Sequence, residues 1–250
     1  MRIYIGFDDT DDVDADRGTG KLARWFEKKL PPGAKLWGVV RQQLPKIEGI
    51  PCTSNNSAAC LIIDSSDDIP LKTYIDAASD HIQEFFIQGS DPGLCVSTEH
   101  NKGLESLIQF GYQCCYNIMR QRDAMNAAYG CHLSGHGGTN DGIIGASAAI
   151  GLTMSGWSGR FIEFSGLRNF PQQVTTRQLF KKGIMVLPID RNAIPPGPDD
   201  IIDTRLWLRP RLWGFQPVLP VQKVSDQYWR SISCKKNKEH SEINFSNLND

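Results

Sequence analysis

Apolar residues near the start of the chain follow the two periods of regular secondary structure. Ile3, Tyr4, Ile5 and Phe7 form a short run of β-branched and aromatic residues, which predicts a buried β-strand. Between residues 70 and 86 apolar side chains recur at helical spacing instead, which predicts a helix. With a helix over 22–30 and strands over 35–40 and 57–64, these segments predict the order β-α-β-β-α.

The rest of the chain alternates short strands and helices, so the sequence predicts a mixed α/β (α+β) fold. Helices are predicted over 102–110, 117–129, 143–150 and 175–182, and strands over 94–96, 160–164 and 183–189. Prolines and a glycine at 195–198 predict a boundary, followed by a small β appendage with strands over 206–208 and 217–221. From residue 233 the chain is polar, and a disordered tail is expected over 233–250.

Six aspartates lie between residues 8 and 16, directly after the first predicted strand. Such a cluster is unfavourable at neutral pH unless water, protons or a bound cation neutralise it. In open α/β sheets ligands bind beyond the carboxyl ends of the strands, which is where we expect Asp8, Asp9 and Asp11. We therefore predict that these three carboxylates bind Mg²⁺. The alternative is a solvated acidic loop.

A glycine-rich turn follows the aspartates and has the composition of a phosphate-binding helix start. Gly18 and Gly20 permit a tight turn, Thr19 can cap the next helix, and Lys21 can reach a phosphate. Carboxylates for Mg²⁺ beside such a turn predict a nucleotide site. We expect Thr10 and the residues of this turn to contact the nucleotide, although a solvated lysine on a helix is common.

A second glycine-rich segment precedes the helix predicted over 143–150. Gly137 and Gly138 make the loop flexible, and Thr139 lies where backbone amides of a helix start face an anion. We predict that these three residues also bind the nucleotide. A tight packing corner would explain the segment equally well.

The charge and cysteine content narrow the functional class. The net charge is −1, but aspartates concentrate near the start, whereas arginines and lysines concentrate after residue 204, where an anionic partner could bind. Arginines there alternate with tryptophans, as in proteins that stack nucleic-acid bases, although such tryptophans more often form a small core. Seven cysteines without a C-x-x-C pair indicate reduced thiols. No apolar segment resembles a signal peptide or a membrane span, so a cytoplasmic location is expected.

Three motifs in order resemble one known family. They are Ile5-Gly-Phe-Asp-Asp-Thr-Asp11, Asp91-Pro-Gly93 before a short strand, and Gly142-Ile-Ile-Gly-Ala-Ser-Ala-Ala-Ile-Gly151. Together with the region of Thr19, this pattern is similar to that of the tRNA(Ile) agmatinylcytidine synthetase family. The resemblance covers roughly residues 1 to 190.

The resemblance implies a function and a domain organisation. It implies a kinase-like ATP/Mg²⁺ domain over 1–130 and a ferredoxin-like domain over 131–195, to which we add the β appendage over 196–232. In that family ATP activates a tRNA cytidine for attack by agmatine. Asp8, Asp9 and Asp11 would serve the magnesium and phosphate chemistry, and Thr19 falls near the family's phosphorylated threonine. We expect the family's oligonucleotide-binding domain to be absent. We also expect its zinc ribbon to be absent, because no C-x-x-C pair occurs to supply one.

The sequence therefore predicts an ATP- and Mg²⁺-dependent phosphotransferase or ligase whose acceptor is a tRNA or a small-molecule nucleophile. A non-catalytic nucleotide- or RNA-binding module is the first alternative. The second alternative comes from Asp9-Thr-Asp-Asp-Val13, which fits the D-x-D-x-V nucleophile motif of haloacid-dehalogenase-like phosphatases. Those enzymes also need a later lysine and a second acidic pair, which occur here in the wrong order.

Overall fold

A computed structural model describes residues 1–11, 16–50 and 55–232. The predicted α/β (α+β) class is confirmed, because helices pack on one large sheet. The strands are β1 Arg2–Asp8, β2 Ala34–Gln43, β3 Ser57–Ser65, β4 Gly93–Thr98, β5 His132–Gly135, β6 Arg160–Glu163, β7 Gln173–Thr175, β8 Met185–Pro188, β9 Ile201–Asp203, β10 Arg211–Trp213, β11 Gln216–Ser225 and β12 Tyr228–Ser231. The α-helices are α1 Thr19–Trp25, α2 Leu71–Phe85, α3 Leu104–Cys114, α4 Gln121–Ala127, α5 Gly142–Met154 and α6 Thr176–Lys181. Short 3₁₀ turns cover Phe26–Lys29 and Leu167–Asn169.

The strands pair in the order β5-β4-β1-β3-β2-β6-β10-β11-β12-β9-β7, with β8 added alongside β11. Nearly all neighbours are antiparallel; β8 with β11 and β9 with β12 are parallel. The end of β1 therefore lies beside the start of β4, with Asp8 opposite Gly93. The rule for ligands at parallel strand ends does not apply to this sheet, and the position of a site must come from its side chains.

Helix α5 is the central helix of the first half of the sheet. Twelve of its residues are buried, because its alanines and glycines let it approach β1, β3 and β4 closely. A Cβ atom added to Gly6 of β1 would lie 2.2 Å from the carbonyl oxygen of Ala146. Helix α5 and strand β5 thus pack against elements formed by the first 130 residues. The domain boundaries at 130, 195 and 232 remain predictions.

Several local predictions were wrong in detail. Gly111 lies inside α3 rather than between two helices, because α3 packs so closely on α5 that a Cβ there would lie 2.9 Å from the backbone nitrogen of Leu152. No strand covers 206–208 in the described structure, since Arg205 and Leu206 both adopt a φ of 54°. Strands β9 and β10 lie on either side instead. Trp229 is buried in the core, as expected for a small β unit.

Some of the predicted features lie outside the described residues. The predicted disordered tail over 233–250 lies outside the described residues, as do residues 12–15, which include two of the six aspartates. Across the described ranges no helix has the length and apolar character that a membrane crossing requires.

Candidate active site at the end of β1

The last residue of β1 and the residue after it open into a cavity of about 430 Å³. Asp8 and Asp9 are both half-buried, and Asp9 adopts a left-handed φ of 50°, which turns the chain sharply away from the sheet. Two further carboxylates, Asp91 before β4 and Asp141 at the start of α5, line the same cavity. Four carboxylates from three separate parts of the chain therefore line one cavity.

Close backbone packing fixes the position of Asp8. A Cβ atom added to Gly145 of α5 would lie 1.7 Å from Oδ2 of Asp8 and 2.4 Å from its Cγ. A Cβ on Gly142 would lie 2.3 Å from the carbonyl oxygen of Asp91, which also accepts a hydrogen bond from the Gly142 N–H at 3.0 Å. The glycines of α5 are needed here because the Asp8 carboxyl and the Asp91 carbonyl occupy the space of their missing side chains.

The electrostatics of the cavity disfavour negative charge. Burial, followed by the neighbouring charge of Asp9, raises the pKa of Asp8 from 3.8 to about 8. Burial, followed by the charges of Asp91 and Asp11, raises the pKa of Asp9 to about 6. A bound cation would oppose both shifts, so the cavity favours the binding of positive charge.

The rest of the cavity wall is mainly apolar. Arg120, the residue before α4, is the one cationic residue among its described lining residues. The other lining residues are Leu44, Gly49, Ile50, Asn56, Cys114, Asn117, Ile118, Met119, Gln121, Ile144 and Gly145. An apolar wall beside a few convergent charges is typical of small-molecule sites, and the volume lies within their usual range.

Asp11 and Thr19 belong to a different hydrogen-bond network. The backbone N–H and the hydroxyl of Thr19 both donate to Oδ1 of Asp11 at 3.0 Å, and the hydroxyl of buried Thr10 donates to the Thr19 hydroxyl oxygen at 3.2 Å. The first amide of α1 therefore already binds a carboxylate within the protein. Thr19 is the first helical residue, and Gly18 takes the capping position.

A second cavity of about 250 Å³ contains the predicted glycine-rich turn. Gly18, Thr19, Gly20 and Lys21 line it together with Asp11, Arg41, Asn55 and Ser57. The ammonium of Lys21 also lies 5.1 Å from the ring centroid of Trp25. The structure thus divides the predicted site: Asp8 and Asp9 line the larger cavity, whereas Asp11 and the turn line the smaller one. Asn55 and Asn56 line one cavity each, so the two cavities are neighbours.

Replacing Thr19 by valine should destabilise the protein by about 1–3 kcal/mol, because it removes the donor to Asp11 and leaves the buried Thr10 hydroxyl without its acceptor. Thr19→Ser retains the hydroxyl and should lose less than about 1 kcal/mol. Urea unfolding of both variants measures the difference. Equal stability of the valine variant and the wild type would show that the network contributes nothing.

The second predicted turn contacts Asp91, although Gly138 and Thr139 are themselves exposed. The N–H of Thr139 donates to Asp91 Oδ1 at 3.0 Å, and its hydroxyl donates to Asp91 Oδ2. Gly138 has a φ of +55°, and a Cβ there would overlap the same carboxylate. In these contacts the turn acts as a packing corner that orients Asp91. Nucleotide binding by Gly137, Gly138 and Thr139 remains a prediction.

No group of three or more histidines, cysteines, aspartates or glutamates in the described ranges has the arrangement of a metal site. Cys131, His132 and His136, which lie close together in the sequence, do not form such a group either. The two histidines are instead joined through the Ser134 hydroxyl, 2.9 Å from Nε2 of each, and Cys131 Sγ accepts a hydrogen bond from the Asn101 amide at 3.0 Å.

Sequence reasoning did not assign Asp91, Asp141, Arg120 and Gly145 to the site. The signal for Asp91 was present, because an Asp-Pro-Gly turn precedes a short strand, and Gly145 belongs to a conspicuously small-residue helix. Arg120 and Asp141 have no such local signal. Only the packing of α4 and α5 brings them to the end of β1.

Comparison with known proteins shows the fold. Neither a protein-family model nor a curated protein sequence matches this chain. Among solved structures, a tRNA fluorescent labeling enzyme is similar at 22% identity and a TM-score of 0.51, over 60% of this chain and 36% of that one. A complex of TiaS with an isoleucine tRNA and ATP is similar at 23% identity and a TM-score of 0.51, with the same coverage.

A complex of TiaS with the same tRNA, AMPCPP and agmatine is similar at 18% identity and a TM-score of 0.50, over 72% of this chain and 44% of that one. TiaS is named as an agmatidine synthetase for this isoleucine tRNA. The chain therefore shares a fold with part of these proteins and spans less than half of their length.

Proposed function

We propose that this protein is an ATP- and Mg²⁺-dependent enzyme of RNA modification, with its reacting phosphates in the cavity at the end of β1. The observation that carries the proposal is the convergence of Asp8, Asp9, Asp91 and Asp141 in one cavity with an apolar wall. The mutual repulsion of carboxylates that line one cavity opposes folding, and a bound cation would relieve it.

The donor set suits Mg²⁺ carried in by a nucleotide. Mg²⁺ prefers oxygen ligands and usually takes one or two carboxylates, with waters and phosphate oxygens completing its shell. The lack of a three-residue metal cluster in the described ranges agrees with that mode and not with an all-protein cage. Asp8 and Asp9 are the proposed ligands. The bound ion would neutralise charge on the transferring phosphates.

The remaining walls fit the other parts of ATP. Arg120 supplies a guanidinium that can pair with phosphate oxygens. Ile50, Ile118 and Met119 provide apolar surface on which a base can lie. Asp91, which accepts two hydrogen bonds from Thr139, would orient a water or a substrate hydroxyl.

An RNA acceptor is proposed because the similar structures are named as tRNA complexes, with ATP in one of them and AMPCPP and agmatine in another. The proposal covers two acceptors of the activated group, a tRNA and a small-molecule nucleophile. Transfer of a phosphoryl or adenylyl group from ATP to an RNA carbonyl oxygen would release ADP or pyrophosphate. An amine would then attack the carbon and expel phosphate or AMP together with that oxygen, which is the class of reaction we assign.

Titration calorimetry of ATP into the full chain tests the nucleotide site. We expect binding with Mg²⁺ and a loss of about tenfold or more without it, because each carboxylate–phosphate contact needs the bridging ion. Asp9→Asn should weaken binding by a similar factor, since it removes a proposed ligand. The matched control is Asp80→Asn, the same change on the exposed face of α2, which should bind like the wild type.

Binding that ignores both Mg²⁺ and Asp9 would contradict the proposed site. A non-catalytic nucleotide-binding module would show the same binding but no ATP turnover when a mixture of RNA and amines is supplied. The two outcomes separate the enzyme from the binding module.

A further inference from the structure

Three arginines lie side by side across neighbouring strands of the sheet. Arg41 of β2 is directly opposite Arg160 of β6, and Arg160 is directly opposite Arg211 of β10. Directly opposite residues of antiparallel strands point to the same face, with Cβ atoms about 5 Å apart. The three side chains, which we call the arginine row, therefore form a continuous line over one face of the sheet.

The arginine row is electrostatically unfavourable by itself. Like charges directly opposite each other destabilise a sheet. Burial lowers the pKa of Arg41, and the positive charge of Arg160 lowers it further. In the same way, burial and then the charge of Arg211 lower the pKa of Arg160. Among the described residues, no carboxylate forms an ion pair with any of the three.

Further positive charge surrounds the row. Burial lowers the pKa of Arg209 to about 10, with Arg168, Arg160 and Arg24 each adding to the lowering. Glu163 is the acidic residue that opposes this group, and it lies 3.8 Å from Arg168. An excess of cations on a folded surface indicates an anionic partner that is present during function.

The row runs from the smaller cavity towards two tryptophan rings. At one end Arg41 lines that cavity beside Lys21. At the other end the guanidinium of Arg211 lies 5.1 Å from the ring centroid of Trp213. Trp157 is 64% exposed, and its Cη2 atom lies 3.7 Å from a Cβ built on Gly214, the residue after Trp213.

We propose that the arginine row binds the phosphodiester backbone of a single-stranded RNA segment, whose bases stack near Trp157 and whose end is directed towards the cavity of Lys21 and Arg41. Guanidinium groups pair with phosphates and aromatic rings stack on unpaired bases, and the combination is that of single-strand-binding surfaces. An acidic peptide would use the arginines but not the exposed ring. The arginine row shares no residue with the acidic cavity. Only its proposed role, which is to hold the RNA acceptor, rests on the proposed function.

Fluorescence anisotropy with a 5′-labelled, unstructured RNA of about 12 nucleotides tests this surface on the full chain. The double variant Arg160→Gln/Arg211→Gln should weaken binding by about tenfold or more at low salt, and should reduce the slope of log affinity against log salt by about 1.4. Both residues are exposed, so the variant is expected to fold, and its melting temperature should be equal to or above that of the wild type. Trp157→Ala should weaken binding by about fivefold or more.

The matched control is Lys102→Gln/Arg191→Gln, which removes the same charge from exposed positions away from the row and should bind within about twofold of the wild type. Equal losses in both double variants would overturn the proposal, as would wild-type binding by the Arg160/Arg211 variant. Competition by polyglutamate or duplex RNA as effective as by the single strand would also overturn it.

The ATP titration separates this proposal from the proposed function. Arg160→Gln/Arg211→Gln should bind ATP and Mg²⁺ normally, and Asp9→Asn should bind RNA normally. RNA binding through the row without any ATP binding would contradict the proposed function and support the proposed RNA-binding surface. ATP binding without RNA binding would contradict the proposed role of the arginine row and support the nucleotide site.

Discussion

Replacing Gly145 by alanine should destabilise the protein by about 3 kcal/mol or more and abolish Mg²⁺-dependent ATP binding. The added Cβ would lie 1.7 Å from Oδ2 of Asp8, which is far inside van der Waals contact. Helix α5 is held in place on its other turns, because the Ala146 carbonyl oxygen occupies the space beside Gly6 where a Cβ would lie. Either the helix or the Asp8 carboxyl must therefore leave its place. Urea unfolding and calorimetric ATP titration measure the two effects.

Gly151→Ala provides the matched control on the same helix. Its Cβ would lie 2.0 Å from the carbonyl oxygen of Leu107 in α3, so the loss of stability should be of similar size. This contact is remote from Asp8, and the folded fraction should still bind ATP with Mg²⁺. If the Gly145 variant retained both stability and ATP binding, Asp8 would not be held against α5 as described.

Replacing Asp8 by asparagine should raise stability at pH 8 while removing ATP binding. The pKa of Asp8 is raised to about 8 in the folded protein from 3.8, so between these values the folded state holds a proton that the unfolded state has released. The free energy of unfolding must then fall as the pH rises through this window. Asparagine carries no charge and removes this loss, which we expect to be worth about 1–3 kcal/mol at pH 8 after solvent screening.

Urea unfolding of the wild type and Asp8→Asn at about pH 4 and at pH 8, without added metal, measures this difference. The two proteins should differ little near pH 4 and most at pH 8, because the penalty is complete only above the folded pKa. Asp80→Asn serves as the exposed control and should keep the pH dependence of the wild type. An identical pH slope in wild type and Asp8→Asn would contradict the raised pKa. Added Mg²⁺ and ATP should stabilise the wild type but not Asp8→Asn.

Local patterns in the sequence predicted the elements that carry strong periodic signals. Ile3 to Phe7 of β1 and the apolar face of α2 are periodic enough to be identified without neighbours. Strands β5 and β12 were missed because neither contains a β-branched residue, whereas the equally short strands β6 and β8 each contain one and were predicted. Gly111 misled the prediction for α3, since glycine marks a loop in sequence but here serves close packing against α5.

The candidate site shows the same division. Asp8 and Asp9 were predicted because they follow an unmistakable strand, and their carboxyl chemistry is visible in the sequence. Asp11 was grouped with them because it is two residues away. In the structure its carboxylate accepts hydrogen bonds from Thr19 and lines a different cavity. Sequence distance could not reveal this, because the left-handed backbone at Asp9 separates the side chains on either side of it.

By itself the sequence determined the α/β class, the acidic end of the first strand and the small-residue character of α5, because each depends on residues close together in the chain. Only the tertiary structure decided that Asp91 and Asp141 join Asp8 and Asp9, and that Arg41, Arg160 and Arg211 share one line. These groupings depend on strand order and register. Pairing free energy is spread over many weak contacts between distant segments, and no local pattern encodes it.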